Sequence, residues 1–334
     1  MENVVNTRLQ SIQLGEPQTY KTIAIVPLIA PANGIFQYRT GGEALATGDL
    51  AITEVSVTGS IPELMVINRG STPVLLIDGE ELVGAMQNRV PNTSILLKAV
   101  SETKISVSCT EHGRWSYYAS KGFSESDNVM AYKTRSRKTH SVHRSLDASG
   151  AYHSHETQRQ VWDGIAKLRA ETGTHSPTSA MNDIFKAREE DLRTYDEIFQ
   201  PVPNQVGLLA LVGGSPAGAD LVSLTAAYAK LHRKLVRSYT LESSIESRQQ
   251  TLARDDIETE ARTFLEGITA AEERQFPSIG HGTDHRFKGK TLSGTALVHE
   301  NEVIHAVFFR LDESEQQYDV RGGDDRFQFR TRPC

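Results

Sequence analysis

The segment PVLLIDGEELVGA (73–85) constrains the fold more tightly than any other stretch. Val74 and Leu76 share one parity and Leu75 and Ile77 the other, so a strand starting here is apolar on both faces and needs cover on both sides. Asp78-Gly79 suits a hairpin turn at its end. Short strands are expected around it at 20–28, Ile52 to Val57, Leu64 to Asn68, Thr93 to Val100 and Lys104 to Cys109, with turn residues such as Pro62 and Asn68-Arg69-Gly70 between them. No convincing amphipathic helix interrupts residues 1–115. That pattern predicts a sandwich- or barrel-like β-layer.

The character changes after Trp115. Residues 116–150 are polar and carry Lys133, Arg135, Arg137, Lys138 and Arg144, with His140 and His143 among them. They read as a long basic loop, either solvated or covering an anion-binding pocket. Val161, Ile165 and Leu168 recur at helical spacing within Gln158 to Thr172, and Gly173 is a suitable stop. A second helix follows Pro177, with Ser179 as its cap and Ile184 and Leu192 on one face, and ends before Pro201. VGLLALVGG (206–214) reads as a buried strand whose Gly-rich exit, GGSPAGAD, enters a helix from Leu221 to Ser238 with Asp220 as N-cap. A further helix is expected at Ile257 to Ala271, then strands at Gly294 to His299 and Val303 to Arg310 about a turn at Glu300-Asn301. The expected class is α+β: a sandwich- or barrel-like β-rich core over 1–115, a basic loop over 116–150, a helix-rich middle over 151–275 with one buried strand near 206–213, and a β return over 276–334 that joins the core.

Two polar clusters sit between apolar strands. DGEELVGAMQNRVPN (78–92) carries acids, amides and a guanidinium, and SCTEHGRW (108–115) ends in Glu111, Arg114 and Trp115. Glu80, Glu81 and Glu111 are candidates for acid/base catalysis, because burial can raise a carboxyl pKa into the working range. Gln87, Asn88 and Arg89 suit ribose hydroxyls and a phosphate, Arg114 a second phosphate, and Trp115 a stacked base. Asp78, Asp220 and His305 complete the expected ligand-binding set, although the default for a His in EVIHAVFF is a core residue of a buried strand bonded to a backbone group. Cys109 shares the parity of Ile105 and Val107, as a packed thiol would. The loop GGSPAGAD matches neither G-x-G-x-x-G nor the Walker pattern. The paired histidines, including His281 and His285, fall short of a three- or four-ligand set, so neither a metal nor another cofactor is expected.

A net charge of -6 disfavours a globally basic nucleic-acid binder. Two Cys exclude a disulfide scaffold. The polar N-terminus and the lack of a run of roughly 20 apolar residues lead to the expectation of a cytoplasmic protein with no membrane partner. The expected partner is a nucleotide-type small molecule, and a homo-oligomer is compatible with the sequence.

Three stretches, PVLLIDGEELVGAMQNR, SVSCTEHGRW and LVRSYTLESS (235–244), together resemble the ARG and rhodanese-phosphatase-superfamily-associated protein domain, a prokaryotic family. The likeness runs from about residue 20 to about residue 310, with departures at Met86, where the family commonly has Lys, and at His112, where Arg is common. The resemblance implies a link to NAD-derived or ADP-ribose-type metabolites, in NAD turnover or phage conflict. Two functions follow as expectations. One is hydrolysis of a glycosidic or phosphoester bond by the glutamates; the other is non-catalytic sensing or partner binding. Both require the two clusters to converge in space.

Overall fold

The computed structural model describes residues 3–31, 33–56, 62–114, 122–243 and 254–312. Trp115 and residues 313–334 lie outside them, so the expectations placed there are not addressed.

The N-terminal part contains α1 (Val4–Ser11), β1 (Gln13–Leu14), β2 (Gln18–Tyr20), β3 (Ile23–Ile29), β4 (Arg39–Thr40), α2 (Gly41–Ala46), β5 (Leu50–Glu54), β6 (Glu63–Asn68), β7 (Val74–Leu76), β8 (Glu80–Gly84), β9 (Arg89–Pro91), β10 (Ile95–Leu97), β11 (Ser101–Cys109) and β12 (Phe123–Val129). The middle contains α3 (Tyr132–Ser149), α4 (His155–Thr172), α5 (Met181–Ala187), α6 (Glu189–Ile198), β13 (Gln205–Val212), β14 (Ser215–Val222), α7 (Thr225–Ser243) and α8 (Arg254–Thr269). The chain then returns to strand in β15 (Glu272–Pro277), β16 (Thr283–Lys288), β17 (Leu292–His299) and β18 (Glu302–Arg310). The fold is α+β.

Three sheets share the core. The largest runs β1-β3-β13-β14-β18-β17-β16-β15, with β2 also paired to β3. Its alternation is sharp: Ile23 and Ile25 pack with Leu235 and Tyr239 of α7, while Ala24, Val26 and Leu28 pack with Val5 and Leu9 of α1 and Phe264 of α8. The second sheet, β12-β8-β9-β11-β6-β5, has its outer ends joined by a bridge between Thr53 and Gly122. It therefore curls, barrel-like, around Leu64, Leu82, Ile105 and Val107. The small sheet β10-β7-β4 lies between the two, and there the doubly apolar strand finds its cover. Val74 and Leu76 enter the barrel core, and Leu75 and Ile77 enter the core of the large sheet.

Several expectations are corrected. The 116–150 loop is, where described, strand β12 and the 18-residue helix α3, capped by Gly150 in the left-handed conformation. Most of α3 is buried despite its polarity. The exit GGSPAGAD is a β-hairpin rather than a strand-to-helix loop: Gly213 and Gly214 turn at positive φ and Asp220 lies inside β14, so it caps no helix. The middle segment thus holds two buried strands. Asp78-Gly79 turns the chain, but β7 and β8 join different sheets and form no hairpin. The helix after Pro177 is two helices that meet at Arg188, and Ser179 does not cap the first. Helices α1 and α2 interrupt the N-terminal strands; α2 is set by a capping box of Thr40 and Glu43.

Helix α3 tolerates burial because its charges are paired. Arg135 donates through Nε to Asp78 at 3.0 Å and through Nη1 and Nη2 to Asp220 at 3.1 and 2.8 Å. Lys138 contacts Asp78 and the carbonyls of Pro91 and Asn92. Tyr239 donates to Asp220 at 2.7 Å. Burial opposes charge on both acids, but Lys138 and Arg135 outweigh it at Asp78, and Arg135 and His305 hold Asp220 down to about 2. This cluster clamps α3 to the turn before β8 and to the large sheet.

Replacing Arg135 by Met leaves two acids buried without their shared cation and should cost about 3–5 kcal/mol in urea denaturation at neutral pH. Arg159 makes an exposed pair with Glu156, and Arg159→Ala should stay within about 0.5 kcal/mol of wild type. Equal effects of the two substitutions would count against a structural role for the Arg135 cluster.

Candidate functional site

Successive residues of β8 face opposite ways, and this separates the two adjacent glutamates. Glu80 turns toward α7, where Lys234 Nζ lies 2.9 Å from its Oε1 and also contacts Glu125. Glu81 turns to the other side and is fully buried. Its Oε1 accepts from Thr110 Oγ1 at 3.3 Å and its Oε2 from Ser126 Oγ at 3.0 Å.

Strand β9 pairs with β11, Arg89 opposite Cys109, so residues 110–114 emerge beside residues 84–89. The Asn88 carbonyl accepts the Thr110 amide at 3.0 Å, and the Asn88 amide donates to Glu111 Oε2 at 3.3 Å. Arg114 reaches the same oxygen through Nε at 2.9 Å and Nη2 at 2.6 Å, and binds the Ala85 carbonyl through Nη1 at 2.6 Å. Gly84 permits this corner. Its φ is +140°, and a Cβ there would stand 2.5 Å from the Gly122 carbonyl oxygen. On the open edge of β11, Gln158 of α4 replaces a strand: it accepts from the Cys109 amide at 2.8 Å and donates to the Cys109 carbonyl at 3.0 Å.

The two sequence clusters therefore converge, and they bring Glu81, Glu111, Asn88 and Arg114 together. The two carboxyls differ sharply. Burial pushes Glu81 up to about 7; the Ser126 and Thr110 hydroxyls and the Lys186 charge only partly offset burial, and the charge of Glu111 adds to it. Burial also works against charge on Glu111, but hydrogen bonds from Arg114 and Thr178, the Arg114 charge and the Asn88 amide prevail and hold it below the usual carboxylate range.

The other expected residues lie elsewhere. Asp78 and Asp220 are engaged by the α3 cations. His305 shares Ser94 Oγ at 2.8 Å and lies 3.6 Å from Asp220. Arg89 is buried and donates to Gln87 at 3.1 Å, with Glu54 at 3.9 Å. Cys109 is a packed thiol, and burial raises it to about 11. Trp115 is outside the described residues. Among the described residues no group of three or more His, Cys, Asp or Glu side chains could hold a metal ion, and no helix is long and apolar enough to cross a membrane. Sequence reasoning missed Thr110, Ser126, Gln158, Glu125 and Lys234. Thr110 lies inside the SCTEHGRW motif without having been singled out, whereas Ser126 and Glu125 fall in the stretch read as a loop.

The family model described as "ARG and Rhodanese-Phosphatase-superfamily-associated Protein domain" matches residues 11–309, nearly the whole described chain. No curated protein and no solved structure matches it.

The raised Glu81 carboxyl fixes a sign for stability. Between about 4.5 and about 7 the folded chain holds a proton that the unfolded chain has released, so the Glu81 contribution is present below that window and lost as pH rises through it. Glu81→Gln removes the loss. Relative to wild type, the variant should gain up to about 3 kcal/mol between about pH 4.5 and about pH 8, read from urea midpoints. A difference independent of pH would contradict the assignment. Glu242, likewise raised to about 7 by burial, adds the same slope to both proteins and cancels in the comparison.

Proposed function

We propose that this chain, which belongs to the ARG and rhodanese-phosphatase-superfamily-associated protein domain family, is a cytoplasmic hydrolase of an ADP-ribose-type nucleotide, with Glu81 as general acid and Glu111 as general base. The observation that carries this reading is the pair of neighbouring buried carboxyls whose surroundings push their proton affinities apart. Such a split assigns acid and base roles. Protonated Glu81 gives its proton to the leaving group as the bond breaks: to the oxygen of a phosphoester or O-glycosidic bond, or to a base nitrogen of an N-glycosidic bond. Ionised Glu111 takes a proton from the attacking water, whose oxygen forms the new bond. Arg114, fixed between Glu111 and the Ala85 carbonyl, supplies positive charge for a phosphate beside the reacting bond. The substrate class rests on the family description, which couples the domain to a phosphatase superfamily, and on the density of acids, amides and guanidinium groups at these strand ends.

A second reading is a sensor that holds the same ligand without chemistry. It draws on the internal engagement of Arg89, Gln87 and Asn88, which bind neighbouring loop atoms.

Incubation of the purified protein with NAD and with ADP-ribose, followed by chromatography of the products, separates the readings. The hydrolase should turn over at least one of them, with a rate that falls above about pH 7 as Glu81 ionises. Glu81→Gln should lower turnover by roughly 10²–10⁴-fold and keep binding. Binding without turnover in wild type supports the sensor. Neither binding nor turnover with either compound overturns both.

A further inference from the structure

We infer that a cleft between α1 and the β17–β18 turn, which shares no residue with the Glu81 site, binds a small zwitterion of the α-amino-acid type. The cleft encloses ≈ 290 Å³ and is lined by Thr7, Arg8 and Ser11 on one side and by Ser223, Asn301 and Glu302 on the other. Arg8 and Glu302 bring opposite charges, and each keeps one atom without a partner in the protein: Nη2 of Arg8 and Oε1 of Glu302. The carboxylate is held in place from behind, because its Oε2 accepts the amides of Ile35 at 2.9 Å and Phe36 at 3.1 Å. Gly34 allows this approach; a Cβ there would lie 1.8 Å from Oε1.

The two charges sense each other without meeting. Burial lowers the Arg8 guanidinium pKa and Glu302 opposes that shift, yet no ion pair joins them. A half-buried cation and a half-buried anion that each leave one buried polar atom unsatisfied are costly, and one ligand that reaches both atoms removes that cost. A carboxylate suits Arg8 and an ammonium suits Glu302, and the sum leaves the cleft neutral. A phosphate would confront Glu302, and a simple amine would confront Arg8. The cleft is at the small end of ligand sites, which fits an amino acid better than a nucleotide. The hydroxyls of Thr7, Ser11 and Ser223 donate to Asn3, Arg8 and Tyr38 and face the cleft only as acceptors.

The test is calorimetric titration of the full chain with glycine and with L-serine, with acetate and methylammonium as single-charge controls. Either amino acid should bind saturably, and both controls should bind at least about tenfold more weakly. Arg8→Met and Glu302→Gln should each weaken amino-acid binding by about tenfold or more. Absence of amino-acid binding to wild type overturns the inference, as does acetate binding as tightly as glycine. These arms need no variant, so a substitution that unfolds the chain does not shield the proposal. The outcome is independent of any activity toward ADP-ribose.

Discussion

The allocation of buried cations to buried acids governs this molecule. Within a few residues the chain buries Asp78, Glu80, Glu81 and, on the paired strand end, Glu111. Asp78 takes Arg135 and Lys138, Glu80 takes Lys234, and Glu111 takes Arg114. Glu81 receives two hydroxyls instead. A buried carboxylate without a cation is expensive, and the economical response is to keep the proton. The same pairing that lets a polar helix run through the interior therefore leaves one carboxyl of different character beside an ionised one.

The architecture sets that allocation. Helix α3 carries Arg135 and Lys138 three residues apart, on one face, toward the turn before β8 and toward Asp220 in the large sheet. Helix α7 brings Lys234 to the Glu80 face of β8. Strand alternation then turns Glu81 away from both helices, toward Thr110 and Ser126.

Much of this was legible in the sequence. The double apolar parity of Val74 to Ile77 announced a strand buried on both sides, and the two cores that it enters bear that out. Residue types alone marked the 78–92 and 108–115 clusters as polar sites; that they converge follows only from the pairing of β9 with β11. Helix α3 was not legible. Its apolar residues are sparse, chiefly Val142 and Leu146, and the segment looks solvated unless its distant acids are known. GGSPAGAD was misread for a related reason: glycines permit a hairpin turn as readily as a phosphate loop, and only pairing with β18 places Asp220 inside a strand. Glu111 and Arg114 are only three residues apart, but local sequence could not say which acids Arg135, Lys138 and Lys234 would serve, because Asp78 and Glu80 lie 57 to 154 residues from them.

The most direct measurement is a carboxyl ¹³C NMR titration of glutamate-labelled protein, with Glu81→Gln and Glu111→Gln used for assignment. The account predicts a resonance with a midpoint near 7 that disappears in Glu81→Gln, and a Glu111 resonance that stays ionised below the ordinary glutamate midpoint. A Glu81 signal that titrates together with the exposed glutamates would contradict it.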